Sequence, residues 1–166
     1  MEKIFYGKQS IIKSDISAAV KCLKSNFLTG GPNVGNFEKE ISKITGCKYS
    51  LSCNSGTSAI FLTALTLNLK KGDNIIVPNI SFVASFNIFS FLDCNVYLAD
   101  VDSCTGQITP ESIIQCIKKE KINKLKCFVS MPLGGSIINA EGFYEIKKKY
   151  KCFWMEDNCH ALGSRY

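Results

Sequence analysis

The chain has 166 residues, a length that suits one globular domain. Apolar residues make up 46% and charged residues 20%, which excludes a disordered polar chain and leaves enough apolar surface for a core. The net charge of +6 rests almost wholly on lysine, with Arg165 the only arginine, so the bidentate contacts of a nucleic-acid reader are not provided for and no nucleic-acid partner is expected.

Residues 14–25 begin with capping residues and place Ile16, Val20 and Leu23 at helical spacing, which predicts a first helix. A glycine-rich break follows at Thr29-Gly-Gly-Pro32. Asn36 is placed to cap a second helix through Phe37, Ile41 and Ile44 that closes at Gly46. A short strand is expected at Tyr49-Ser-Leu-Ser-Cys53. The turn Asn54-Ser-Gly-Thr-Ser58 then opens a helix through Ala59–Leu65. Strand, loop and helix now repeat: a strand at Asn74–Pro78, a helix over 82–92 and a strand at Asn95–Asp100. Pro110, suited to a first helical turn, begins the next helix. Lys126–Met131 is a strand, 141–150 a helix and Cys152–Asp157 a final strand. Alternating helices and continuous apolar strands imply an α/β fold, with a mainly parallel sheet covered by helices on both faces.

The nine cysteines are odd in number, show no C-x-x-C spacing and mostly lie in apolar runs such as Lys126-Cys-Phe-Val-Ser130. They read as small buried hydrophobes in a reducing compartment. His160, the single histidine, cannot anchor a conventional zinc cluster alone, so no metal is expected. Met1–Tyr6 lacks the pattern of a signal peptide, and no stretch approaches a membrane span, so no membrane partner and a cytoplasmic location are expected. The lysine runs at 118–121 and 147–149 read as solvated helix faces.

In parallel sheets function collects at the carboxyl ends of the strands, and three segments stand there with polar or exposed-type residues. In Asn54–Ser58, small residues let backbone N–H groups approach an anion at a helix N-terminus; the pattern fits a phosphate cradle and a plain capping turn alike. Phe82, just past Pro78, could stack on a flat heterocycle, although an isolated phenylalanine is more often core. Glu156-Asp-Asn-Cys-His160 places an acid after a central strand, where burial is costly without a partner. Asp157 could hold a pyridinium nitrogen protonated and His160 could contact a ring substituent; a helix-capping Asp with a partly exposed His is the competing reading. Neither a Walker loop nor a G-x-G-x-x-G turn is present.

Order and spacing join these segments. Phe27-Leu-Thr-Gly-Gly-Pro-Asn-Val34, Phe37-Glu38, Asn54–Ser58, Asp73–Pro78 with Ser81–Ala84, Leu98–Asp102 and Glu156-Asp157 with His160–Ser164 resemble, collinearly from about residue 4 onward, the DegT/DnrJ family of sugar aminotransferases. Within it, Tyr6–Ser10, Asp102 to Gly106 and His160–Tyr166 look most like the branch of the pseudaminic-acid pathway, which acts on a UDP-linked 4-keto-6-deoxy amino sugar.

The resemblance implies a pyridoxal 5'-phosphate (PLP)-dependent transferase of fold type I: a homodimer whose chains each have a large α/β domain and a small C-terminal domain. It implies that Ser55, Gly56 and Thr57 bind the cofactor phosphate, Phe82 stacks on the ring, Asp157 pairs with the ring nitrogen and His160 approaches the ring hydroxyl. It implies further that Tyr6 and Asn26, Phe27, Leu28 and Thr29 line the sugar-nucleotide site. Residues 1–30 would be an N-terminal helical and substrate-lining segment and 31–166 part of the large domain, with the small domain absent. The lysine that forms the Schiff base stands, in the family, some twenty residues beyond the matching aspartate. The expectation is therefore an inactive N-terminal portion of an enzyme that passes an amino group from a donor such as glutamate to a nucleotide-linked 4-keto-6-deoxy sugar. Two alternatives stand beside it: an empty remnant serving as a binding or dimerising module, and a piece of the family's dehydratase branch, where histidine replaces the lysine.

Overall fold

A computed structural model of the chain describes Phe5 and residues 7–165. It divides into two compact units, residues 1–52 and 53–166.

The first unit holds two helices, α1 (Lys13–Leu23) and α2 (Pro32–Thr45). Asp15 Oδ2 accepts the Ile12 N–H at 2.9 Å and so occupies a donor that the first turn of α1 leaves free. Helix α2 starts five residues earlier than the sequence pattern suggests. Pro32 takes its first position, where a missing N–H costs nothing, and Asn36 lies inside the helix rather than capping it. Gly46 ends α2 in the left-handed region, at φ 72°. The strand expected at Tyr49–Cys53 does not form. A strand needs a neighbour to take its backbone groups, and here Glu38 Oε1 accepts both the Ser52 N–H, at 2.8 Å, and the Ser52 hydroxyl, at 2.9 Å.

The second unit is the α/β layer. Its elements are α3 (Gly56–Thr66), β1 (Asn74–Pro78), α4 (Ala84–Phe91), β2 (Asn95–Ala99), α5 (Pro110–Lys119), β3 (Leu125–Ser130), a 3-10 turn at Leu133–Gly135, α6 (Ala140–Tyr150) and β4 (Phe153–Glu156). The four strands are parallel in the order β2-β1-β3-β4. Strand alternation divides the apolar residues between two cores. Ile75, Val77, Cys127, Val129 and Met155 face one cluster with Ile60 and Ala64 of α3 and Ile88 and Phe89 of α4. Ile76 and Phe128 face the other, with Ile113 and Ile117 of α5 and Phe143 and Ile146 of α6. The sheet is thus covered on both faces, as the continuous apolar strands require.

Helix α5 carries a reciprocal cap. Thr109 Oγ1 accepts the Ser112 N–H at 3.1 Å, and Ser112 Oγ accepts the Thr109 N–H at 3.1 Å. All nine cysteines are unpaired. Burial pushes the Cys127 thiol up to about 12 and the Cys152 thiol up to about 11, so both act as neutral apolar groups at ordinary pH. Among the described residues no helix is long and apolar enough to cross a membrane.

Candidate cofactor site

Asp157 follows β4, and only 5% of its surface is exposed. Its N–H donates to the Ser130 carbonyl at the end of β3, at 2.9 Å, which extends the β3–β4 ladder by one bond. Ser130 is fixed in turn by the Trp154 indole, whose Nε1–H donates to Ser130 Oγ at 2.8 Å. The carboxylate has two neutral partners. Ser85 Oγ donates to Oδ2 at 3.3 Å, and the Cys159 N–H donates to Oδ1 at 3.2 Å. Among the described residues no lysine or arginine forms an ion pair with it; the ion pairs among those residues lie on the surface. A buried carboxylate held by two neutral donors, with no lysine or arginine of the described residues paired to it, is incompletely compensated.

The N-terminus of α3 comes to the same place. Ser55 caps it, accepting the Ser58 N–H at 3.1 Å, while the Ser58 hydroxyl donates to Asn54 Oδ1 at 2.6 Å. These side-chain bonds leave Gly56 and Thr57, the first two helical residues, with N–H groups that have no acceptor within the helix. A Cβ on Gly56 would stand 2.7 Å from Cys159 Sγ, so the absence of a side chain is what lets α3 approach the loop that carries Asp157.

The third segment is tied in through Ser85. The Phe82 carbonyl accepts the Ser85 N–H at 3.1 Å, and Ser85, wholly buried in α4, reaches Asp157 with its hydroxyl. Phe82 itself is 62% exposed, so it is not the core residue that an isolated phenylalanine would more often be. Three loops therefore meet around Asp157: one through Cys159 against Gly56, one through Ser85, and its own.

His160 stands one residue beyond Cys159, and its Nδ1 accepts the Gly134 N–H at 3.3 Å, which links this loop to the 3-10 turn. Ser164 Oγ donates to the Gly135 carbonyl at 2.9 Å and reinforces the same link. In the first unit, Phe27 and Leu28 are exposed, and the Phe27 N–H donates to Ser25 Oγ at 3.2 Å. Gly31, at φ +76°, approaches Phe27 so closely that a Cβ would lie 2.7 Å from the Phe27 Cβ. Asn26 and Thr29 flank this turn and are exposed. Tyr6 lies outside the described residues.

Ser85, Ser130 and Cys159 were not legible as site residues. Ser85 left one trace, a hydroxyl in the otherwise apolar start of α4, whereas Cys159 reads in sequence like the other small apolar cysteines.

A parallel α/β sheet with a buried acid at a strand end beside a helix N-terminus is the large-domain layer of the fold-type-I transferases, present here in part. The chain belongs to the DegT/DnrJ/EryC1/StrS aminotransferase family, whose model matches residues 9–166. It is 28% identical over 159 residues to the UDP-4-amino-4-deoxy-L-arabinose–oxoglutarate aminotransferase of Shewanella sediminis, a match covering 96% of this chain and 40% of that protein. An aminotransferase structure from Psychrobacter cryohalolentis superposes with a TM-score of 0.89 at 28% identity, over 98% of this chain and 41% of that one. The GDP-4-keto-6-deoxy-D-mannose-3-dehydratase of E. coli, solved with bound hydrated PLP, superposes with a TM-score of 0.87 at 26% identity, over 96% and 41% of the two chains. The chain thus spans about two fifths of the length of these relatives.

Proposed function

We propose that these residues form the PLP-binding part of an aminotransferase that moves an amino group from an amino-acid donor, such as glutamate, to a nucleotide-linked 4-keto-6-deoxy sugar. The observation that carries the reading is the buried Asp157 carboxylate, with no lysine or arginine of the described residues paired to it and next to the α3 N–H groups that have no acceptor within the helix. The residues fit the cofactor on two counts: a protonated ring nitrogen supplies the positive charge that Asp157 lacks, and the phosphate suits the α3 N-terminus. The Shewanella aminotransferase and the E. coli dehydratase, each named for a sugar, support the substrate class.

On this reading Gly56 and Thr57 bind the phosphate with backbone N–H groups, helped by the partial positive charge of the helix end. Ser55 serves mainly by holding that turn, since its oxygen already accepts the Ser58 N–H. Phe82, exposed and three residues before Ser85, covers one face of the ring and excludes water from it. Asp157 keeps the ring nitrogen protonated. His160 orients a ring substituent from the loop it shares with Gly134. When bound, PLP supplies the electron sink that carbon–nitrogen chemistry at the substrate needs. Tyr6 and Asn26–Thr29 line the sugar-nucleotide side, and the complete enzyme is a homodimer. On this reading these residues bind and orient the cofactor.

The dehydratase branch is the second reading, because the E. coli enzyme matches almost as well as the aminotransferases do. A PLP titration followed by the fluorescence of Trp154, the only tryptophan, tests the site. Asp157→Asn, which loses one charge-assisted contact of about 1.5–3 kcal/mol, is expected to weaken binding by roughly tenfold or more. Equal affinity of the two proteins would refute the assignment. With the complete enzyme and a nucleotide-linked 4-keto-6-deoxy sugar, glutamate-dependent formation of an amino sugar is expected; a deoxygenated sugar without net amino transfer would select the dehydratase reading.

A further inference from the structure

We propose that Ser85 and Cys159 are positioning residues for Asp157: they hold its carboxylate fixed in orientation, and Cys159 also sets its distance from the α3 N-terminus. The proposal rests on the cofactor reading for its purpose, but its geometry stands alone.

A buried carboxylate that must meet a ring nitrogen has to keep a fixed orientation. Neutral donors hold it without occupying the site with a competing cation. Two neutral donors reach Asp157 from two separate elements. The Ser85 hydroxyl, buried in α4, lies 3.3 Å from Oδ2, and the Cys159 N–H, two residues past Asp157, lies 3.2 Å from Oδ1. The two bonds hold different oxygens, so the carboxylate plane is fixed by α4 on one side and by its own loop on the other. This arrangement needs Ser85 specifically, since the neighbouring side chains of α4 facing the core, Ala84, Ile88 and Phe89, carry no donor.

Cys159 has a second contact, which joins the two ends of the site. Its sulfur packs against Gly56, where an added Cβ would stand only 2.7 Å away. The same residue thus touches the helix N-terminus and donates its N–H to the carboxylate. The phosphate end and the ring-nitrogen end are separated by the length of the cofactor, so their spacing must be kept, and Cys159 is the side chain that bridges them. Its thiol also responds to Asp157. With the carboxylate beside it as hydrogen-bond acceptor, and with burial and the negative charge adding to this, the thiol is pushed up to about 11. Asp157 is the charged group that acts on it. A thiol that remains protonated stays a donor to the carboxylate and stays unreactive.

Carbamidomethylation by iodoacetamide, scored at each cysteine by peptide mass spectrometry without any cofactor, tests the coupling. In the wild-type chain Cys159 is expected to react slowly at pH 8 and to accelerate only well above pH 9. In Asp157→Asn its rate at pH 8 is expected to rise about tenfold, while that of Cys104 is unchanged; the gain stays below the full change in thiolate fraction because nucleophilicity falls with thiol pKa. An unchanged Cys159 rate in a folded Asp157→Asn protein, or a wild-type Cys159 that titrates like Cys104, would overturn the coupling. PLP affinity then tests the purpose. Cys159→Ala and Ser85→Ala are each expected to weaken PLP binding about three- to tenfold, and Cys159→Ser and Ser85→Thr to restore it. Alanine variants that bind PLP as the wild type does would overturn the positioning role. If alkylation shows the coupling but Asp157→Asn binds PLP normally, the cofactor reading fails and the carboxylate–thiol contact stands.

Discussion

Helix α1 in residues 1–52 and helix α5 in residues 53–166 have 11 and 10 residues, and each repeats apolar side chains at helical spacing. Their surroundings differ completely. Ile113, Cys116 and Ile117 of α5 are buried against Ile76, Ala99 and Phe128 of the sheet. No residue of α1 is buried: Ile16, Val20 and Leu23 are all exposed. The caps differ in the same direction, since Thr109 and Ser112 close the start of α5 reciprocally whereas the residue preceding α1 is Ile12, which has no polar side chain to offer. Helical spacing therefore reports a helix and its apolar stripe, and burial requires a second surface that spacing does not describe. In the α/β unit that surface is a sheet whose strands present apolar side chains on both faces.

The comparison would be broken most directly at Phe128. This ring is fully buried on β3, stacked at 6.1 Å on Trp154 and 5.7 Å from Phe143. Phe128→Ala removes the ring from a packed layer and leaves a cavity, at an expected cost of about 3–5 kcal/mol. Urea unfolding followed by circular dichroism should show this as a large drop in midpoint; a loss below about 1 kcal/mol would mean that the α/β core is not packed as described. The cap of α5 comes next. Thr109→Ala leaves the Ser112 N–H without its acceptor and is expected to lower stability by about 1 kcal/mol in the same measurement, with Thr109→Ser close to neutral.

A carboxylate in each unit sharpens the comparison further. The Ser52 N–H, and then its hydroxyl, hold Glu38 below the usual carboxylate range; the Thr105 N–H, and then its hydroxyl, do the same for Asp102. Since both groups have lowered folded values, the stability they add is present above the unfolded carboxylate pKa and is lost as pH falls through the lowered folded one. Both are open to solvent, so the readout is the titration itself. In NMR pH titrations Ser52→Ala should raise the Glu38 midpoint part of the way, and Thr105→Val should do so for Asp102, since each keeps its backbone donor. Glu38 titrating as in an unfolded chain would show that the segment before Ser52 is not held on α2.

Much of the α/β unit was legible because its signals are local and agree with one another. Continuous apolar strands announced a buried parallel sheet and Pro110 marked the first turn of α5; in the first unit Gly46 marked the end of α2. The strand expected at Tyr49–Cys53 was not recoverable, because strand formation depends on a neighbour and the Ser52 N–H finds the Glu38 carboxylate instead. The start of α2 was misplaced for a related reason: Asn36 and Pro32 are both good start signals, and a local pattern does not rank them. In the candidate site, Gly56, Phe82 and Asp157 stood out as residue types that strand ends do not need. Ser85 and Cys159 act through contacts across 72 residues of chain and against Gly56, respectively, and such contacts leave no periodic trace.

The smallest expected effect tests the exposed half of the comparison. Leu23 ends α1 with 70% of its surface exposed. Leucine and glutamine have similar helix propensities, so Leu23→Gln changes little besides the apolar surface presented to water. With no burial to lose, the variant is expected to melt within about 0.5 kcal/mol of the wild type. Ile113, on the apolar stripe of α5 and fully buried, gives the reference, since an amide there would be desolvated without a prepared partner. A Leu23→Gln variant that lost about 2 kcal/mol or more would show that the α1 stripe is covered in solution. The two helices would then differ only in what covers them, and no longer in whether anything does.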